Sequence, residues 1–112
     1  MTRLEALIAL RDAVVKEQQD AMAAAAKNVF RGHPYVLSVR AFDGHIGDAI
    51  QLVDEVLSAW HWCVVWARSG PGATVWHEPD KCTAVHHGKG RSPARALLLA
   101  ILEALIAKEG ER

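Results

Sequence analysis

The chain predicts a single α+β domain: an antiparallel three-stranded sheet in an α/β/α sandwich, with N-terminal helices on one face and the central and C-terminal helices on the other. Three observations predict it. Trp60-His61-Trp62-Cys63-Val64-Val65-Trp66-Ala67 alternates as a strand, and both of its sides are largely apolar, so it asks for cover on both faces. Two further β-prone segments follow, separated by turn signals short enough for an antiparallel meander. Helix-forming stretches flank this block on both sides. The cover matters energetically. Trp60, Trp62 and Trp66 share one side with Val64, and burying a large apolar side chain contributes roughly 1.5–3 kcal/mol. Leaving that side bare would forfeit several kcal/mol and invite aggregation. The N-terminal helices are the spare element and are assigned to it.

The elements follow in order. Thr2-Arg3-Leu4-Glu5 fits a capping box, with Thr2 as N-cap and Glu5 reaching back. Leu4, Leu7, Ile8, Val14 and Val15 recur near helical spacing, and no Gly or Pro interrupts before Gly32, so helix runs to about Phe30. A break near Gln18 to Asp20 would make it two helices. Gly32-His33-Pro34 ends this region. Tyr35 to Phe42 permits either a short strand or an ordered connection. Asp43-Gly44-His45 starts the central helix, whose apolar stripe is Ile46, Ile50, Val53 and Leu57, flanked by Ala49, Leu52 and Val56. Strands are expected at Trp60 to Arg68, Ala73 to His77 and Cys82 to His87, with turns at Ser69-Gly70-Pro71-Gly72 and Glu78-Pro79-Asp80-Lys81. Gly88-Lys89-Gly90-Arg91 reads as a loop. Ser92-Pro93 starts the last helix as N-cap and first turn. From Ala94 to Lys108 only Arg95 and Glu103 interrupt the apolar run, so this helix is either buried all round or shared with a second copy in a homodimer. Gly110 closes it. Residues 1–112 form one domain, 1–32 its N-terminal helical layer and 43–108 its helix, three strands, helix core.

Composition narrows the function classes. Just over half of the 112 residues are hydrophobic, enough for a real core. Lys plus Arg and Asp plus Glu both number 13, so the chain is neutral, whereas a general nucleic-acid binder is usually basic. Two cysteines make no disulfide framework and fit a reduced, cytoplasmic setting. Met1-Thr2-Arg3-Leu4-Glu5 has no signal-peptide pattern, and no apolar run approaches membrane-spanning length.

Candidate chemistry is sparse. His61 and Cys63 share one strand side, and Cys82 and His86 another. If those sides coincided four ligands could meet, but no Cys-x-x-Cys pair is present and the expectation is no metal and no cofactor. Adjacent His86 and His87 point to opposite sides of a strand, so they cannot act as one acid–base pair. No nucleophile turn and no phosphate-cradling glycine pattern occurs, so no catalytic residue is assigned. Charge is uneven. Asp43 to Ser58 holds Asp43, Asp48, Asp54 and Glu55 with no Lys or Arg; residues 68–95 carry a net positive charge from Arg68, Lys81, Lys89, Arg91 and Arg95. Asp48, Asp54 and Glu55 are therefore the candidate contacts for a basic protein partner. Arg68, Lys89, Arg91 and Arg95, beside the free N–H groups of a helix start, are the candidate contacts for an anion or a nucleic acid.

Two family resemblances rest on quoted segments. Leu4-Glu5-Ala6-Leu7-Ile8-Ala9, then Gly47-Asp48-Ala49-Ile50-Gln51-Leu52-Val53 leading into Trp60-His61-Trp62, then Ser92-Pro93-Ala94-Arg95-Ala96-Leu97-Leu98 together resemble the phage ABA sandwich domain family over nearly the whole chain. The chain departs from it between Ala21 and Asp43. The resemblance implies the same three-layer fold and a small phage or prophage protein without an established activity. Residues 46–106 also resemble the double-stranded-RNA-binding domain in element order, in Gly70-Pro71 between the first two strands, and in Gly88-Lys89-Gly90-Arg91-Ser92 before the last helix. That family's phosphate-holding lysines are replaced here by Pro93, Ala94 and Leu97, and the acidic central helix would repel a phosphate-lined groove. The expectation is a non-enzymatic phage accessory protein in the host cytoplasm. It would bind a host protein or protein complex, with an anti-CRISPR inhibitor as its concrete form. Nucleic acid is the disfavoured alternative, and no membrane role is expected.

Overall fold

The computed structural model describes residues 2–77 and 86–110, and over these the chain is α+β: five helices and a three-stranded antiparallel sheet. Helix α1 (Arg3–Val15) opens with the expected capping box. Glu5 N–H donates to Thr2 Oγ1 at 3.1 Å, and Thr2 N–H reaches Glu5 Oε1 at 3.4 Å. Glu17 takes a positive φ of 59°, which stops α1 and turns the chain into α2 (Gln19–Val29). Helix α3 (His33–Phe42) corrects the reading of two segments at once. Tyr35 to Phe42 is neither strand nor connection, and Gly32-His33-Pro34 starts a helix as well as ending one. Pro34 lies in the first turn, where its missing N–H would have no partner anyway. Leu37, Ser38, Ala41 and Phe42 face inward at helical spacing, and the Ser38 hydroxyl donates to Tyr35 O at 2.7 Å. Tertiary burial thus overrides the β preference of Tyr35, Val36 and Val39.

Helix α4 (Ile46–Val56) buries Ala49, Leu52 and Val53, with Leu57 just beyond its end. Ile46 stays outside, so the buried stripe is rotated from the expected one toward Ala49 and Leu52. Strands β1 (Trp60–Ala67) and β2 (Gly70–His77) pair from Trp60 opposite His77 to Ala67 opposite Gly70, and β3 (His86–Lys89) completes the order β1-β2-β3. The first turn is therefore only Arg68-Ser69, with Gly70 at φ 110° supplying the left-handed geometry. Gly70, Pro71 and Gly72 are strand residues. So are Gly88 and Lys89, expected as loop. Cys82 and the expected second turn lie outside the described residues.

Helix α5 (Pro93–Gly110) begins as its Ser-Pro signal requires: Arg95 N–H donates to Ser92 Oγ at 3.1 Å. It is the centre of the fold. Leu97, Leu98, Ile101 and Leu102 are fully buried, and α5 packs against β3 and β2 as well as against α1, α4 and α3. Its apolar circumference is used up inside the chain. Gly88 sets how closely the sheet approaches. A Cβ there would collide with Ala96 O and lie 2.5 Å from Ala100 N and 2.9 Å from Leu99 Cβ. Gly88 against Ala96 and Ala100 forms a seam of small residues that draws α5 over β3 and away from β1.

The cover of the tryptophan side follows from that seam. Trp62 lies opposite Val75 and Val64 opposite Ala73, and both partners are buried, so the tryptophan side is the side on which α5 packs. Helix α1 lies along α5, and α2 along α1 and α3; the N-terminal helices reach the sheet through α5 and do not lie over the tryptophans. Trp60 and Val64 pack against the core, while Trp62 and Trp66 stay exposed. Among the described residues no helix is long and apolar enough to cross a membrane.

Candidate binding surface on the first strand and the open sheet face

Among the described residues β1 is an edge strand, and its backbone directions follow from two hydrogen bonds. Gly90 N–H donates to Pro71 O at 3.3 Å, so Pro71, Ala73 and Val75 turn their backbone groups toward β3. Gly72, Thr74 and Trp76 then turn theirs toward β1, where they meet Val65, Cys63 and His61. Trp60, Trp62, Val64 and Trp66 are left pointing away from the sheet. Trp60 N–H accordingly donates outside the ladder, to Leu57 O at 3.0 Å. The tryptophan positions of β1 are thus also those with outward backbone groups.

Side-chain exposure concentrates on the same strand. Trp62 is 38% exposed, Val65 52% and Trp66 73%. No charged residue lies between Trp60 and Ala67. Trp60 is held by its neighbours, its ring stacked on His77 at 5.4 Å and beside His86 at 6.0 Å, with the Lys108 ammonium 6.0 Å above it. The sheet side away from α5 carries exposed His61, Cys63, Val65, Ala67, His87 and Lys89, with half-buried Thr74 and Trp76 between them. His61 stacks on Trp76 at 5.6 Å, and Thr74 Oγ1 meets His87 Nδ1 at 3.1 Å. Gly72 leaves a depression of about 240 Å³ there, bordered by Val65, Thr74, His87 and Lys89.

The expected contact residues are distributed differently. Asp48 is bound by Arg40 at 2.9 Å and Glu55 by His33 at 2.9 Å, so α3 answers part of the acidic charge of α4; Asp54 is exposed. Among the cations, Arg95 is a structural residue. Its guanidinium donates to Phe42 O at 2.8 and 3.2 Å, pairs with Glu17 at 3.1 Å and sits 4.1 Å above the Phe42 ring. Arg91 also pairs with Glu17, at 2.9 Å. Arg68 and Lys89 are exposed. His61 and Cys63 lie on the open side and His86 on the α5 side, so these three do not converge, and Cys82 lies outside the described residues. Among the described residues no group of three or more His, Cys, Asp or Glu side chains is placed to hold a metal ion.

Sequence reasoning missed Trp62, Trp66, Trp76 and His87 as surface residues. One signal was available: the first strand of a three-stranded meander is an edge strand, and an edge is covered on fewer sides than a central strand. Comparison of the chain with protein-family models, with curated proteins and with solved structures finds no match.

Proposed function

We propose that this chain is a non-enzymatic phage or prophage accessory protein that acts by binding a host protein machine, with an anti-defence, anti-CRISPR inhibitor as its concrete form. The supporting observation is the sheet side opposite α5, where Val65, Thr74, His87 and Lys89 border a small-residue depression at Gly72 and His61 stacks on Trp76 farther along the same side. A hollow bordered by aliphatic and imidazole groups, on a sheet side that also carries an aromatic stack, suits a protein partner's side chain better than a reacting substrate. The phage class comes from the sequence resemblance and not from the surface. Asp54 and Glu55 at the rim of α4 add the electrostatic orientation of a basic partner.

The test is interference. Expression of the chain in a bacterium with active CRISPR immunity restores plaquing by a targeted phage. Thr74→Arg, which raises a long cation from the middle of the open side, removes the effect, and the double change Asp54→Lys with Glu55→Lys weakens it. Unchanged plaquing against every immunity type tried rejects the anti-CRISPR form. A nucleic-acid-binding module is the alternative. It would have to rely on Arg68 and Lys89, because Arg91 and Arg95 are both occupied by Glu17. It predicts salt-sensitive duplex binding that Lys89→Glu abolishes.

A further inference from the structure

Natural edge strands are blunted by a charge, a proline, a bulge or short length. β1 has none of these: it is eight residues long, uncharged, and paired in unbroken register with β2. We propose that β1 pairs antiparallel with β1 of a second copy of this chain, about a twofold axis at Val64, so that two sheets join into one of six strands.

The backbone selects this register. Outward groups belong to Trp60, Trp62, Val64 and Trp66, and the N–H of Trp60 is already taken by Leu57 O. Among the described residues nothing pairs with those of Trp62, Val64 and Trp66. A twofold axis at Val64 is the arrangement in which all three meet their own kind: Val64 faces Val64 of the second copy, and Trp62 faces its Trp66, twice. The two most exposed tryptophans of the chain thereby cover each other. On the open side Cys63 comes opposite Val65 of the second copy. The pairing is isologous and closes on itself, so it stops at a dimer.

The self-complementary register, with exposed Trp62 facing exposed Trp66, points to a second copy as the occupant, and charge does not oppose it. The strand carries no charge to select an oppositely charged partner, and the whole chain has zero formal net charge, so two copies approach without repulsion. A strand pair of this length lies near or below about 1,200 Å² of total buried surface, the range of weak and reversible interfaces. The dimer therefore forms and dissociates with concentration. It uses the tryptophan side and the strand edge, leaving the depression at Gly72 accessible. The inference does not depend on the host partner, and the plaquing assay and the mass measurement below can fail independently.

The experiment is sedimentation equilibrium of the full chain from about 1 µM to about 1 mM, a range that brackets weak dissociation constants. The expected mass rises from 12.2 kDa toward twice that value. Trp66→Lys, a charge on the most exposed ring, raises the dissociation constant at least about tenfold while the circular dichroism spectrum is retained. The register is read separately, in a Cys82→Ser background carrying Val65→Cys. Residues 63 and 65 of opposite copies form a non-hydrogen-bonded pair with Cα atoms about 4.5 Å apart, within the disulfide range of about 4.4–6.8 Å. Mild oxidation is expected to give a covalent dimer linked from Cys63 of one copy to the thiol introduced at position 65 of the other. A mass of one chain at every concentration overturns the proposal and leaves the edge to a foreign strand. A dimer indifferent to Trp66→Lys, or one linked only between like positions, overturns it as well. Should Trp66→Lys fail to fold, the cross-link and the wild-type mass decide.

Discussion

Gly88→Ala tests the placement of α5 most severely, because one methyl group is set against a backbone. An added Cβ would overlap Ala96 O and come within 2.5 Å of Ala100 N and 2.9 Å of Leu99 Cβ. Ordinary overpacking costs about 1–3 kcal/mol because side chains can move aside. Here two of the three obstacles are backbone atoms of a helix buried all round, so β3 and α5 must separate and the cost reaches about 3 kcal/mol or more. A domain of this size is stable by about 5–15 kcal/mol, so a large share of its stability is lost. Urea unfolding followed by circular dichroism is expected to show a lower midpoint with an unchanged slope. The melting temperature is expected to fall by about 10 °C or more. Gly47→Ala is the matched control. It lies in the first turn of α4 with nothing within 4 Å of its would-be Cβ, so the same change is expected to stabilise by about 0.5 kcal/mol. A Gly88→Ala protein within about 0.5 kcal/mol of the parent would refute the close seam, and with it the explanation for the uncovered tryptophans.

Further outcomes follow from single contacts. Arg95→Met removes two hydrogen bonds to Phe42 O, the pair with Glu17 and the stack on Phe42, and is expected to cost about 2–3 kcal/mol in urea unfolding; a loss below about 0.5 kcal/mol would mean that Arg95 is free to meet an anion after all. Ala59 sits at φ 68° just before β1, so Ala59→Gly relieves a left-handed alanine and is expected to raise stability by about 1 kcal/mol, read as a higher melting temperature. Thr2→Ala dismantles the capping box of α1 and is expected to cost about 1 kcal/mol.

The class, the strand order and most helix limits were legible in the residues because their signals are local. Thr2 with Glu5, and Ser92 with Pro93, each specify a helix start by their own hydrogen bonds. The all-apolar α5 announced its burial by the absence of any polar face. What could not be read was long-range. Tyr35 to Phe42 became helix because Leu37, Ala41 and Phe42 find a core, which local propensity does not report. Gly88 looked like a loop glycine, yet its role is to admit α5, a contact eight to twelve residues away in sequence. That contact decides which strand α5 covers, and hence which tryptophans reach solvent. The charged candidates failed to cluster for a similar reason: Glu17, in the turn after α1, draws Arg91 and Arg95 together across the fold.

The central claim is that Trp62, Val64 and Trp66 turn their backbone toward a free edge that a second copy fills. Amide hydrogen exchange, resolved by residue and run at about 10 µM and about 1 mM, tests it directly. Cys63 and Val65, bonded to β2, are expected to be protected at both concentrations. Trp62, Val64 and Trp66 are expected to exchange fast in the dilute sample and to become protected in the concentrated one. Uniform protection along β1 at both concentrations, or rapid exchange of all three outward amides in the concentrated sample, would contradict the account.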